Sequence, residues 1–373
     1  MAYRILYLDD EEANTIQPFI DRVQNETEDF IIDLSHPGKY SNNLDALFKE
    51  LSNYDALILD WVLNQYSDEN DIRFPFRASS LAQEVRTRTT GGEISGIPII
   101  LWSMAERIRQ SYDRTAHDLF DLQVLKGEIT ESAPKLRIQI KSLIDGYRQI
   151  NESLSQNNSS YTLLGIDEAD LDIRLVSEIN SFKVVHEVAL FIRRELLERP
   201  GPLIDDERLG AILGIDIPAS NNWEDLLNSF PADTKYDGPF ASGWLRWWRR
   251  SIENWWHETT KQERNFNYFN AQKRVDLISK ATQLTGIVAA KPISLKYHSY
   301  FETICEISKR PLDPIDGVLI DESDPKPWQE RRYISMDEAI ELGRNQGQQE
   351  FRPHPTELER VKEIRREKMR DAQ

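Results

Sequence analysis

Four short apolar runs in the first third of this 373-residue chain limit its fold more than any other feature. R-I-L-Y-L runs into Asp9 and Asp10, D-A-L-I-L into Asp60, I-P-I-I-L-W into Ser103, and L-Q-V-L into Lys126. Short apolar runs bounded by polar breaks read as strands buried on both faces, the pattern of a parallel sheet. Parallel neighbours need long crossovers, usually helices, and helical periodicity fills the gaps. Ile16, Phe19, Ile20 and Val23 share one spacing, and Leu44, Leu47, Phe48 and Leu51 share another. Ser80 with Gln83 resembles a capping box opening a helix over 81–88. A fourth helix is expected over 105–116, and Leu136, Ile140, Leu143, Ile144 and Tyr147 mark a fifth. Such alternation predicts an open α/β sheet, in which functional side chains collect beyond the carboxyl ends of the strands. Asp9, Asp10, Asp60, Ser103 and Lys126 are therefore expected in one crevice.

Three neighbouring carboxylates raise one another's pKa unless a cation sits among them. Lys126 supplies one positive charge. A hard divalent cation such as Mg²⁺, which takes carboxylate and carbonyl oxygens and keeps several waters, would supply another. Ser103 offers a neutral hydroxyl to a phosphoryl oxygen. This set suits phosphoryl transfer onto an aspartate, where the protein mainly positions groups and neutralises charge.

These residues resemble the receiver domain of bacterial two-component response regulators, over roughly residues 1–150. The resemblance implies a flavodoxin-like, five-stranded parallel sheet of order 2-1-3-4-5. It implies Asp60 as phosphoacceptor, Ser103 as the responding hydroxyl and Lys126 as the phosphate-sensing lysine. It also implies Mg²⁺ held by Asp9, Asp10, Asp60 and the carbonyl of Val62. The partner it implies is a histidine kinase or phosphotransfer protein, with a homodimer as one assembly of the family. Three positions depart from the family pattern. Trp61-Val62-Leu63-Asn64 replaces the usual Met-Pro after the phosphoacceptor, Gly127 replaces Pro after the lysine, and Gln123 replaces an aromatic switch residue. The stretch from Tyr66 to Ser80 is also longer and more acidic than usual. Receivers with long C-terminal regions are similar to some in bacterial anti-phage conflict systems.

A formal net charge of -17 disfavours nucleic acid and anionic membranes as partners of the whole surface. The single cysteine, Cys305, excludes an intrachain disulfide framework and a cysteine-cluster zinc site. No apolar run reaches membrane-spanning length, and a strand beginning almost at once leaves no room for a signal peptide. A cytoplasmic protein is expected.

Residues 151–160, rich in Ser, Asn and Gln, read as a linker between a receiver at 1–150 and a mainly helical region at 161–373. In that region Asn221 with Glu224 and Ser335 with Glu338 resemble helix caps. Trp244, Trp247, Trp248, Trp255 and Trp256 are interleaved with Arg246, Arg249 and Arg250. At helical spacing Trp244, Trp248, Ile252 and Trp255 line one face. This block admits core packing, a protein interface, stacking of single strands or a membrane-surface helix. The six histidines show no metal-ligand spacing, and no phosphate-cradling glycine loop is present. The leading functional expectation is a phosphorylation-controlled regulator whose C-terminal region binds a protein partner, or which stores phosphate in a relay. The alternatives are a receiver-gated enzyme with its site in 161–373 and a DNA-binding regulator.

Overall fold

The computed structural model describes residues 2–24, 29–66, 73–104, 118–322, 324–342 and 351–371. The chain forms two compact units. One comprises Met1–Gly165, Val176–Arg193 and Asp237–Trp244; the other comprises Ile166–Leu175, Arg194–Tyr236 and Leu245–Gln373.

In the first unit, β1 (Tyr3–Leu8), β2 (Phe30–Ser35), β3 (Ala56–Leu59), β4 (Ile99–Ser103) and β5 (Leu122–Leu125) build one sheet. Its order is β2-β1-β3-β4-β5, and every pairing is parallel. This is the flavodoxin-like doubly wound arrangement, as expected. The central strands carry apolar residues on both faces because helices cover both: β3 and β4 are buried at every position. Leu8 lies opposite Ser35 and Leu59, and Ser103 lies opposite Leu125, which aligns the carboxyl ends of all five strands.

Helices α1 (Ala13–Gln24), α2 (Leu44–Leu51), α3 (Ala78–Thr90) and α4 (Ile129–Gln156) belong to the same unit. Ile16, Ile20 and Val23 of α1 and Leu47, Phe48 and Leu51 of α2 are buried at the spacing that predicted these helices. Each such side chain contributes roughly 1.5–3 kcal/mol by leaving water. Asn43 caps α2 by accepting from the Ala46 amide at 3.2 Å. Helix α3 starts at Ala78, so Ser80 lies inside its first turn and is not its cap. The helix expected over 105–116 and part of the acidic stretch after Tyr66 lie outside the described residues.

Helix α4 runs on to Gln156, so the first half of the expected linker is helical. The buried stripe continues to Ile150, and the helix stops only at Asn157 in the left-handed conformation (φ 53). Against α4 pack α1 and α5 (Val185–Phe191). Close approach uses glycine: a Cβ on Gly96 would fall 2.0 Å from Val185 Cγ1, and one on Gly146 would fall 2.3 Å from Phe240 Cε1. Residues 176–193 and 237–244 thus complete the first unit, and 161–373 does not form one separate body.

The second unit is mainly helical, with helices at Asp206–Leu213, Trp223–Asn228, Arg249–Thr260, Ala271–Thr282, Met336–Leu342 and Leu358–Asp371. Among the described residues three two-stranded antiparallel pieces accompany them. The tryptophan block is not one helical face. Trp247 and Trp248 form a short strand paired with Leu203 and Ile204, and the helix begins only at Arg249. Trp247, Trp248, Trp255 and Trp256 are all buried, the outcome expected of core packing. Trp247 Nε1 donates to Asp206 at 2.6 Å and Trp256 Nε1 to the Arg264 carbonyl at 3.0 Å, so these indole N–H groups are satisfied. Trp244 belongs to the first unit, where the Arg193 guanidinium lies 5.0 Å from its ring. Ser335 caps its helix as expected, its Oγ accepting from the Glu338 amide at 3.3 Å and donating to Glu338 Oε2 at 2.9 Å, but the reciprocal half of a capping box is absent because the Ser335 amide donates to Cys305 Sγ at 3.2 Å. Asn222, not Asn221, precedes the helix that starts at Trp223, and its side chain makes no cap bond.

Candidate functional site

All five sequence-marked residues sit at the carboxyl ends of their strands and are buried. Asp9, Asp10, Asp60, Ser103 and Lys126 are each at most 2 % exposed. Ladder bonding carries the sheet one step past its strands: the Asp60 amide donates to the Leu8 carbonyl at 3.0 Å. That bond fixes Asp60 beside the end of β1. Lys126 then leaves β5 and extends its stem along the sheet. Its Nζ lies 2.7 Å from Asp9 Oδ2 and 2.8 Å from Asp60 Oδ1. One ammonium therefore joins two carboxylates from different strands.

Three of the four remaining carboxylate oxygens are held by backbone amides. Asp9 Oδ1 accepts from Glu11 N at 2.9 Å, and Asp60 Oδ2 accepts from Val62 N at 2.9 Å. Asp10 Oδ2 accepts from the amides of Gln65 and Tyr66 at 2.5 and 2.7 Å. Two buried oxygens stand apart: Asp10 Oδ1 and Ser103 Oγ have no hydrogen-bond partner among the described residues. Buried polar atoms are normally paired, and an unpaired one in a native site points to a missing ion, water or substrate atom.

Electrostatics follow from this crowding. Burial, reinforced by the charge of Asp9, pushes the Asp60 carboxyl up to about 6 against the pull of Lys126 and the Val62 amide. Burial also raises Asp10, partly offset by its two amide donors. For Lys126 burial alone would lower the ammonium, but Asp60 and Asp9 outweigh it and the net direction is upward. The lysine is a fixed cation in this pocket.

Tyr7 completes the arrangement and was not visible as a site residue. Its hydroxyl donates to Asp9 Oδ2 at 2.7 Å, and its ring stacks on Trp102 with centroids 5.2 Å apart at 18°. The one available signal was position: residues two apart on a strand share a face, and Tyr7 lies two before Asp9. Trp102 is itself buried. Of the positions that depart from the resemblance, Gln123 lies in β5 opposite Leu101, and Gly127 lies in a single 3₁₀ turn, Lys126–Glu128, leading directly into α4.

An open cavity of about 1390 Å³ adjoins Asp9 and Asp10, with Glu11, Ser35, His36 and Lys39 among its walls. The donor set fits a hard divalent cation, which favours carboxylate and carbonyl oxygens and retains water. Asp10 Oδ1 is the unsatisfied atom such a cation would take. The three aspartates do not close into a tight triad, and Asp10 Oδ2 is occupied by the Gln65 and Tyr66 amides. Among the described residues, ligand atoms of three such side chains fall within 4.8 Å of one another only at His298, Asp313 and Asp316. That trio lies on the second unit, and His298 is already bonded to Asp316 at 3.1 Å.

No family model matches the sequence, and no curated protein matches it. Among solved structures the chain is similar to the phosphorylated cyanobacterial phytochrome response regulator RcpA. There identity is 14 %, coverage is 36 % of this chain and 91 % of the other, and the TM-score is 0.27. It is also similar to the isolated REC domain of RcsB from Salmonella enterica serovar Typhimurium in the presence of phosphomimetic BeF3-. For that domain identity is 13 %, coverage is 38 % and 89 %, and the TM-score is 0.26. The Salmonella typhimurium RcsB response regulator matches at 13 % identity, covering 48 % and 99 %, with a TM-score of 0.24.

Proposed function

We propose that the first unit is a phosphoacceptor switch in which Asp60 takes a phosphoryl group from a phosphohistidine of a histidine kinase or phosphotransfer protein. The observation that carries this reading is the buried Asp60–Lys126–Asp9 bridge, with a buried Ser103 hydroxyl at the end of β4 that has no hydrogen-bond partner among the described residues. An Asp60 oxygen attacks phosphorus, the new O–P bond replaces the P–N bond, and the imidazole leaves as the neutral ring after taking a proton. With its carboxyl at about 6, Asp60 is mainly ionised at neutral pH and so nucleophilic. The Val62 amide orients one of its oxygens. Lys126, already within 2.8 Å, neutralises charge on the transferred group, and Ser103 Oγ, without a partner among the described residues, donates to a phosphoryl oxygen.

Asp10 and Asp60, with Asp9 nearby and the Val62 carbonyl, would hold the Mg²⁺, which when bound offsets phosphoryl charge. Among the described residues no helix is long and apolar enough to cross a membrane, which suits a cytoplasmic partner. The second unit serves in this reading as the output, binding a protein partner; a place in anti-phage defence is its most specific extension. The test is incubation of the full chain with acetyl phosphate and Mg²⁺, read by intact mass. One adduct on the wild type and none on Asp60→Asn is expected. An unmodified wild type, or equal modification of Asp60→Asn, rules the reading out.

A further inference from the structure

Tyr7 stands in β1 among the aliphatic neighbours Ile5, Leu6 and Leu8, and like them it is fully buried, yet it carries a hydroxyl. Its hydroxyl is therefore the part that needs a reason. That hydroxyl and Lys126 Nζ both donate to the same oxygen, Asp9 Oδ2, each at 2.7 Å. Glu11 N takes the other oxygen at 2.9 Å, so Asp9 is held at both ends. The ring of Tyr7 stacks on Trp102, the residue before Ser103 at the end of β4. All of these side chains are buried, where a fixed O–H dipole acts with little screening.

We propose that Tyr7 is a positioning residue that locks Asp9 as the counter-ion of Lys126 and weakens the negative field Asp9 presents to a divalent cation at Asp10 and Asp60. The inference rests on the cation-assisted phosphoacceptor reading above. An O–H dipole aimed at a carboxylate places its positive end toward the site. Removing it leaves Asp9 less compensated, and the pocket then holds a cation more tightly.

The test is a Mg²⁺ titration of the full chain followed by tryptophan fluorescence, Trp61 being the neighbour of Asp60. Tyr7→Phe keeps the ring and its stack but loses the hydroxyl. It is expected to bind Mg²⁺ about threefold to tenfold more tightly than the wild type. Tyr7→Met fills similar space without a hydroxyl; it is expected to shift the same way and guards against a folding defect peculiar to the first variant. Because Tyr7 acts through Asp9, the shift is expected to vanish when Tyr7→Phe is made in an Asp9→Asn background. Unchanged affinity in folded Tyr7→Phe and Tyr7→Met, or a shift that persists without the Asp9 carboxylate, overturns the proposal. Acetyl phosphate labelling in the same samples separates the two ideas. A wild type that binds Mg²⁺ but is never labelled defeats the phosphoacceptor reading, whereas labelled protein with equal affinities defeats only the role of Tyr7.

Discussion

Lys126 Nζ stands 2.8 Å from Asp60 Oδ1, with the two side chains 2 % and 0 % exposed. The same ammonium also serves Asp9. Three ionised aspartates and one lysine leave the pocket with an uncompensated formal charge of -2. A buried excess of that sign is unfavourable in the free protein and suits the arrival of a cation. Burial and the charge of Asp9 disfavour the ionised form of Asp60 in particular.

Replacing that charge is expected to stabilise the protein. The Asp60 carboxyl lies at about 6 in the folded chain against an ordinary 3.8. The folded state thus holds this proton more tightly than the unfolded state does. Its contribution is fully favourable below pH 4 and is lost as pH rises through about 6. At pH 7.5 Asp60→Asn should therefore be more stable than wild type by roughly 1–3 kcal/mol, the upper figure being the full pKa gap and the lower one allowing for the lost Lys126 contact. Thermal unfolding by circular dichroism from pH 4 to 8 checks this. A variant less stable than wild type at pH 7.5 would contradict it.

The buried pair Arg86–Asp121 is expected to behave oppositely. Arg86 Nη2 donates to Asp121 Oδ2 at 2.7 Å, and that carboxylate also accepts from the Ile99 amide and the Tyr147 hydroxyl, each at 2.7 Å. Removing one member leaves the guanidinium buried and uncompensated, so Asp121→Ala should cost about 3–5 kcal/mol. Urea unfolding of Asp121→Ala, Arg86→Met and the double variant gives the coupling. If the double variant is as unstable as the sum of the singles, the pair is not acting as a unit.

Legibility in the sequence followed range. The strand ends and their five polar residues were readable because burial on both faces writes itself into a short apolar run, and strand-end position is local. Helices α1 and α2 were readable from one turn to the next. Tyr7 was hidden because a tyrosine inside an apolar run looks like core until its hydroxyl has a partner. The Trp247–Trp248 strand is two residues long, too short for any period, and exists because Leu203 and Ile204 pair with it. The return of residues 176–193 and 237–244 to the first unit depends on contacts such as Gly96 with Val185, which carry no local signature.

His186, in α5, should make stability fall in mild acid. Burial, then the charge of Arg86, lowers its imidazole to about 4 from an ordinary 6.5, with Asp121 opposing. Here the folded pKa is depressed, so the unfolded chain takes the proton first. The stabilising contribution is complete above about pH 6.5 and is lost between there and about 4. His186→Gln should show a flatter stability profile across that window. Profiles that run parallel from pH 7 to 4.5 would rule this out.

Gly146 is expected to admit no side chain while Phe240 remains. A Cβ there meets the Phe240 ring at 2.3–2.4 Å, and the ring is itself hemmed in by Tyr147 and Trp244, with centroids at 6.5 and 6.3 Å. Phe240 also holds a left-handed backbone (φ 70), so it has little freedom to retreat. Gly146→Ala, a change that in an exposed helix gains stability, should here lose about 1–3 kcal/mol by overpacking. Adding Phe240→Leu shortens the opposing side chain and should recover part of that loss relative to the sum of the two single changes. Chemical unfolding of the three variants checks it. A stabilising Gly146→Ala would mean that the 237–244 segment does not seat on α4 as described.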